Sequence, residues 1–175
     1  METWKEFEAN ELTHSAAHHL LAIYEVGLAY GGWARVSDIA RRLDITRGSV
    51  SINLRALKKR GWVETDDHHM VKLSCSGLRA AHAVMAKRVV VKTFLSAVLD
   101  TPENQADIDS CKVEHLLSDE SGQRLARFTR LLTSDDPVAK AFMERFRSEH
   151  GECPENRTCD VCKGHCLADE LARAI

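Results

Sequence analysis

Proline and aromatic residues are scarce in this chain, with 3 prolines and 6% Phe, Trp and Tyr among 175 residues. So few prolines, alongside only 9 glycines, exclude a collagen-like or Pro/Gly-rich low-complexity chain. No apolar run approaches the ~20 residues that a membrane-spanning helix needs. The opening stretch, Met1-Glu-Thr-Trp-Lys-Glu6, is polar and acidic rather than a secretory signal. A cytoplasmic protein without a membrane partner is therefore expected. Phosphate-loop glycines and a nucleophile–base pair are also missing, so the chain is read as a non-enzyme with no small-molecule substrate. An overall excess of one charge is lacking too: the formal net charge is −2, which by itself does not point to nucleic acid.

What is present is 44% hydrophobic and 29% charged residues, enough for one compact domain or two small ones sharing a core. The charge is unevenly placed. From Arg35 to Arg60 there are eight basic residues (Arg35, Arg41, Arg42, Arg47, Arg55, Lys58, Lys59, Arg60) against Asp38 and Asp44. Such a local excess on an otherwise acidic body marks a phosphate-facing surface.

Leu12 to Tyr30 carries apolar residues at helical spacing (Ala16, Leu20, Ile23, Tyr24, Gly27), with Gly31-Gly32 as the stop. Ser37 is expected to cap a short helix, Asp38 to Leu43. After the turn Asp44-Ile45-Thr46, a second helix runs to about Arg60 with Val50, Leu54 and Leu57 inward. Two alternating runs around Asp66-Asp67-His68-His69 signal a hairpin. Further helices are expected over 78–99, 103–117, 121–132 and 138–150.

Short helix, tight turn, second helix and hairpin form the winged helix-turn-helix order. The fold class expected is mostly α, an N-terminal winged helix-turn-helix followed by an all-helical domain. The divisions are 1–76 for the DNA-binding domain, 77–150 for the helical domain, and 151–175 for a cysteine-rich tail. The second helix presents Thr46, Arg47, Ser49 and Ser51 to a major groove, and Gly48 lets backbone amides approach a phosphate. Arg55, Lys58, Lys59 and Arg60 would meet the phosphates of double-stranded DNA, and Arg35 is counted among the DNA-binding residues as well. His68, His69 and Lys72 are placed near the flanking groove.

At these residues the sequence resembles the DtxR/MntR family of metal-dependent repressors. The stretches that carry the resemblance are Ile23-Tyr-Glu25, Ala34-Arg-Val-Ser-Asp-Ile-Ala-Arg-Arg-Leu43, Ser49-Val-Ser51, Gly61-Trp-Val-Glu64 and Cys111-Lys-Val-Glu-His-Leu-Leu-Ser-Asp-Glu120. In order they cover roughly residues 12–132. The resemblance implies a homodimer in which 77–150 is an all-helical metal-binding and dimerisation domain, joined to the DNA-binding domain by a metal site.

Cys111, Glu114 and His115 fall at i, i+3 and i+4, on one helix face. Thiolate, carboxylate and imidazole so placed make most of a transition-metal site. The resemblance adds a ligand from the first helix, six residues before Tyr24, which is His18, with His19 as its competitor. This donor set suits Fe2+ or another first-row divalent ion better than oxygen-seeking Mn2+. A second, ancillary metal implied by the resemblance would fall at Arg88 and Lys92, cations that instead pair with Asp107, so one core metal is expected.

The tail carries four of the six cysteines, Cys153, Cys159, Cys162 and Cys166, a feature typical relatives lack. One Cys-x-x-Cys flanked by single cysteines suits a 4Fe-4S cluster, while Zn2+ is the alternative. The function expected is an iron-responsive repressor that binds palindromic operator DNA as a dimer. The alternatives are a redox or iron–sulfur sensor with a vestigial core site, or a zinc-binding interaction module that does not bind DNA.

Overall fold

The computed structural model describes residues 12–148. The first helix, α1 (His14–Gly27), is capped by Thr13, whose hydroxyl accepts from the Ala16 amide at 3.2 Å. It is the central post of the molecule. Leu20 and Ile23 are fully buried and Ala17 with them, and burying each of the two large side chains contributes ~1.5–3 kcal/mol. A 3-10 turn (Leu28–Tyr30) and left-handed Gly31 end the element. Gly27 leaves room for the Gly32 carbonyl, which would lie 2.9 Å from a Cβ there.

Strand β1 (Trp33–Ala34) leads into α2 (Val36–Leu43). The cap is Arg35 rather than Ser37, a correction to the sequence expectation. Val36 is already helical, and the Arg35 carbonyl accepts from the amides of Asp38 and Ile39, so Ser37 falls inside the first turn. Asp44 adopts the left-handed conformation that closes α2 (φ 54°). Thr46 then caps α3 (Arg47–Lys59) by accepting from Ser49 N at 3.1 Å. Val50, Leu54 and Leu57 are its buried residues, as their spacing requires.

The wing is β2 (Val63–Thr65) and β3 (Val71–Leu73) in a three-stranded antiparallel sheet of order β1-β3-β2. Asp66 holds its turn by accepting from the amides of His68 and Met70. Ser74 caps α4 (Cys75–Thr93), which therefore starts three residues before the expected Leu78. Packing is continuous across residue 76. A Cβ on Gly77 would sit 2.0 Å from the Trp62 carbonyl oxygen, so only glycine lets α4 lie against the wing's entry.

Helix α4 passes into a π-helical turn, Phe94–Val98. Helix α5 (Glu103–Val113) follows and ends four residues short of the expected Leu117, because the amides of Leu116 and Leu117 both turn back to the Val113 carbonyl. Ser118 caps α6 (Asp119–Leu132). The chain divides into compact units at Thr129–Arg130. In the second, the Asp136 carboxylate caps α7 (Pro137–Ser148) by accepting from the amides of Val138 and Ala139. The mostly helical fold with a winged helix-turn-helix head agrees with the sequence expectation. Among the described residues no helix is long and apolar enough to cross a membrane.

Candidate metal centre and nucleic-acid interface

His18 of α1 and Cys111 of α5 are 93 positions apart in sequence, yet His18 Nε2 lies 3.2 Å from Cys111 Sγ. His14, one turn before His18, joins them, and the ligand atoms of all three lie within 4.8 Å of one another. The ring of His14 is 4.4 Å from that of His18 and 4.9 Å from that of His115, centroid to centroid. Sequence reasoning missed His14 as a donor. Its i, i+4 spacing to His18 was visible, but nothing local told that α5 would cross in front of both.

Glu114 sits just beyond the end of α5 and is completely buried. Among the described residues neither carboxylate oxygen has a hydrogen-bond partner. Its nearest countercharge is Arg88 of α4, with Nε 3.9 Å from Oε2. Burial pushes the Glu114 carboxyl up to about 7, although Arg88 pulls against this. The same burial raises the Cys111 thiol, aided by Glu114, and lowers the imidazolium forms of His18 and His115. His18, Cys111, Glu114 and His115 are thus each pushed toward the uncharged form.

The residues fit a metal ion. Bonds of ~2.0–2.1 Å to nitrogen and ~2.3 Å to sulfur place tetrahedral donors about 3.5 Å apart. His18 and Cys111 stand close to that separation, and a buried carboxylate without hydrogen bonds completes the case.

His19 faces elsewhere. It is buried, with Nδ1 2.7 Å from the Ser15 carbonyl, so His18 is the one beside Cys111. Where a second metal would sit, Arg88 and Lys92 reach Asp107 Oδ1 at 3.3 and 3.5 Å, and Lys92 also reaches Glu103. Arg88, then Lys92, hold the Asp107 carboxyl below its ordinary range.

On the head, Arg35, Thr46, Arg47, Gly48, Ser51, Arg55, Lys58 and Lys59 are exposed and Ser49 is half-buried. Some of these polar groups already have partners. The Thr46 and Ser49 hydroxyls lie 2.9 Å apart, Ser51 donates to the Arg47 carbonyl, and Lys58 donates to Thr65 on the wing. Lys72 is not at the wing tip. It lies on the central strand, with Nζ 5.6 Å from the centre of the Trp33 ring. Ile52, between Ser51 and Arg55 on α3, is an apolar residue on this head that the sequence reading did not single out, and it is 61% exposed.

Metal site and reading helix share a turn of chain. Ser15, next to His14, donates to Asn53 of α3, whose amide donates to the Ser49 carbonyl. A cleft of about 400 Å³ between them is lined by His14, His18, His19, Leu43, Ser49 and Asn53, among others. Cys153, Cys159, Cys162 and Cys166 lie outside the described residues.

Residues 75–140 match the family model for the iron dependent repressor metal binding and dimerisation domain. Residues 11–69 match that of the MarR family. The chain is 28% identical over 115 residues to an HTH-type transcriptional regulator of Methanocaldococcus jannaschii, covering 66% of this chain and 81% of that one. It is 26% identical over 139 residues to the HTH-type transcriptional regulator MntR of Lysinibacillus sphaericus, covering 79% and 97%. The crystal structure of T. acidophilum IdeR matches with a TM-score of 0.54 and 28% identity, over 63% of this chain and 52% of that one. The present chain thus spans about half the length of that regulator. Both of its parts are similar to transcriptional regulators of this kind: a MarR-like winged head, followed over residues 75–140 by the metal-binding and dimerisation domain of iron-dependent repressors.

Proposed function

We propose that this chain is a metal-dependent transcriptional repressor of the cytoplasm, without enzymatic activity, that binds double-stranded palindromic DNA as a homodimer and responds to Fe2+. The observation that carries the proposal is the meeting of His18, on the head's central helix, with Cys111 beside the buried, hydrogen-bond-free Glu114. A divalent ion there supplies the positive charge that lets Cys111 and Glu114 ionise in a buried setting. His18, Cys111, Glu114 and His115 hold it. Holding α1 against α5 orders the turn bearing Ser15, and Ser15 steadies Asn53 at the reading helix. In a dimer, that order sets the separation of two reading helices, for half-sites ~34–36 Å apart. Arg47, Arg55 and Lys59 then meet phosphates, while Ser51 and its neighbours face base edges.

The proposal extends to the tail, where the spacing of Cys153, Cys159, Cys162 and Cys166 supports an iron–sulfur cluster. Acid-labile sulfide and visible absorbance in anaerobically purified protein test that part, and zinc without sulfide overturns it. The repressor assignment is tested by duplex binding with Fe2+ and with chelator. Metal-dependent, salt-sensitive binding that Cys111→Ser weakens as chelation does is expected. Binding indifferent to the chelator contradicts it.

A further inference from the structure

We propose that His14 is a protein ligand of the core metal, joining His18, Cys111, Glu114 and His115, so that three imidazoles and one thiolate stand against a single carboxylate and the centre favours Fe2+, Co2+ or Zn2+ over Mn2+. The inference rests on the metal-centre proposal and goes beyond it, because His14 belongs neither to the Cys-x-x-Glu-His segment nor to the position six residues before Tyr24.

Three observations carry it. His14 is the first residue of α1, one turn before His18, so both rings leave the helix on the same side. Its ligand atom lies within 4.8 Å of those of both His18 and Cys111. Its ring is also 4.9 Å from that of His115, so His14 stands between the α1 donor and the segment that ends α5. The ring is exposed, and moving it onto an ion costs little desolvation.

Donor chemistry decides the ion. Imidazole and thiolate suit Fe2+, Co2+ and Zn2+, whereas Mn2+ prefers carboxylate, carbonyl and water oxygen. Each imidazole added to Cys111 widens that preference. Among these ligands from the described residues Glu114 is the single carboxylate, and Arg88 already faces it at 3.9 Å. His14 also changes how the ion would act on the fold. Ligation at the first residue of α1 fixes the very end of the helix, adjacent to the Ser15–Asn53 contact with the reading helix.

The test uses the full-length chain with Cys153→Ser, Cys159→Ser, Cys162→Ser and Cys166→Ser, so that tail thiolates do not absorb, titrated anaerobically with Co2+ and separately with Mn2+. A sulfur-to-cobalt charge-transfer band is expected, and Cys111→Ser should remove it. Adding His14→Ala should keep that band, since Cys111 remains. It should alter the ligand-field bands and weaken Co2+ by at least ~10-fold, given that losing even a group that only supports a ligand costs ~10–100-fold. Mn2+ affinity should change far less. An unchanged ligand-field spectrum and Co2+ affinity in His14→Ala overturns the role of His14 while leaving the metal centre standing. A missing charge-transfer band, or one that survives Cys111→Ser, overturns the metal centre and the inference with it. Circular dichroism of His14→Ala, expected to match the parent, separates ligand loss from fraying of α1.

Discussion

The reading face of α3 and the metal centre below it are built on opposite principles. The face comes from one continuous stretch, Thr46 to Lys59, whose charges stay in water where they cost little to hold. The centre gathers donors from α1 and the end of α5, with Arg88 of α4 beside them, and it buries a carboxylate without one hydrogen bond. The difference teaches where a signal can act. An exposed basic face holds its charge without a partner, whereas a buried carboxylate beside a half-buried thiol is unfavourable as an anion until a cation joins it.

The largest way to break the contrast is to remove the ion or its thiolate. Chelation or Cys111→Ser should weaken duplex binding ~5–150-fold, the range of an allosteric coupling of 1–3 kcal/mol, measured by titration at fixed salt. Equal affinity with and without the metal would make the centre a bystander.

Next in size is the pH dependence of the metal-free protein. The Glu114 carboxyl is raised in the fold from 4.5 to about 7, so folding favours its protonated form. The associated stability is full below pH 4.5 and is lost as pH rises through about 7. It amounts to on the order of 3–4 kcal/mol at ~1.4 kcal/mol per pKa unit. Denaturant midpoints across this window should fall in the wild type and stay flatter in Glu114→Gln. Parallel curves would mean that the carboxylate has found another partner.

The smaller effects belong to the face. Arg55→Ala should weaken binding to all sequences alike and lower the salt slope by about 1. Ile52→Ala should leave the slope alone and cost ~1 kcal/mol of discrimination where the site offers a thymine methyl, since an exposed apolar side chain on a groove-facing helix reads that group. Duplexes with uracil in place of thymine would show the loss without mutating the protein.

Legibility from sequence follows the same divide. The head was readable because its signals are local: the tight turn Asp44-Ile45-Thr46 before α3, the inward spacing of Val50, Leu54 and Leu57, and the polar hairpin turn held by Asp66. Ser37 misled because a serine near a helix start does not reveal which residue first turns helical. The π-helical turn at Phe94–Val98 left no mark, since widening one turn alters neither composition nor hydrophobic pattern. The Cys111, Glu114 and His115 spacing was visible, yet α5 stops at Val113 and the last two donors sit in the turn beyond it. His14 was illegible for a deeper reason. Its role depends on a contact with chain almost a hundred positions away, which tertiary packing alone creates.

The most direct measurement is anomalous diffraction from crystals of the metal-loaded protein, collected at the absorption edge of the added ion. The account predicts a peak within bonding distance of both His18 Nε2 and Cys111 Sγ, and none at Asp107 between Arg88 and Lys92. A core peak at Asp107, or density without an ion between His18 and Cys111, would contradict it.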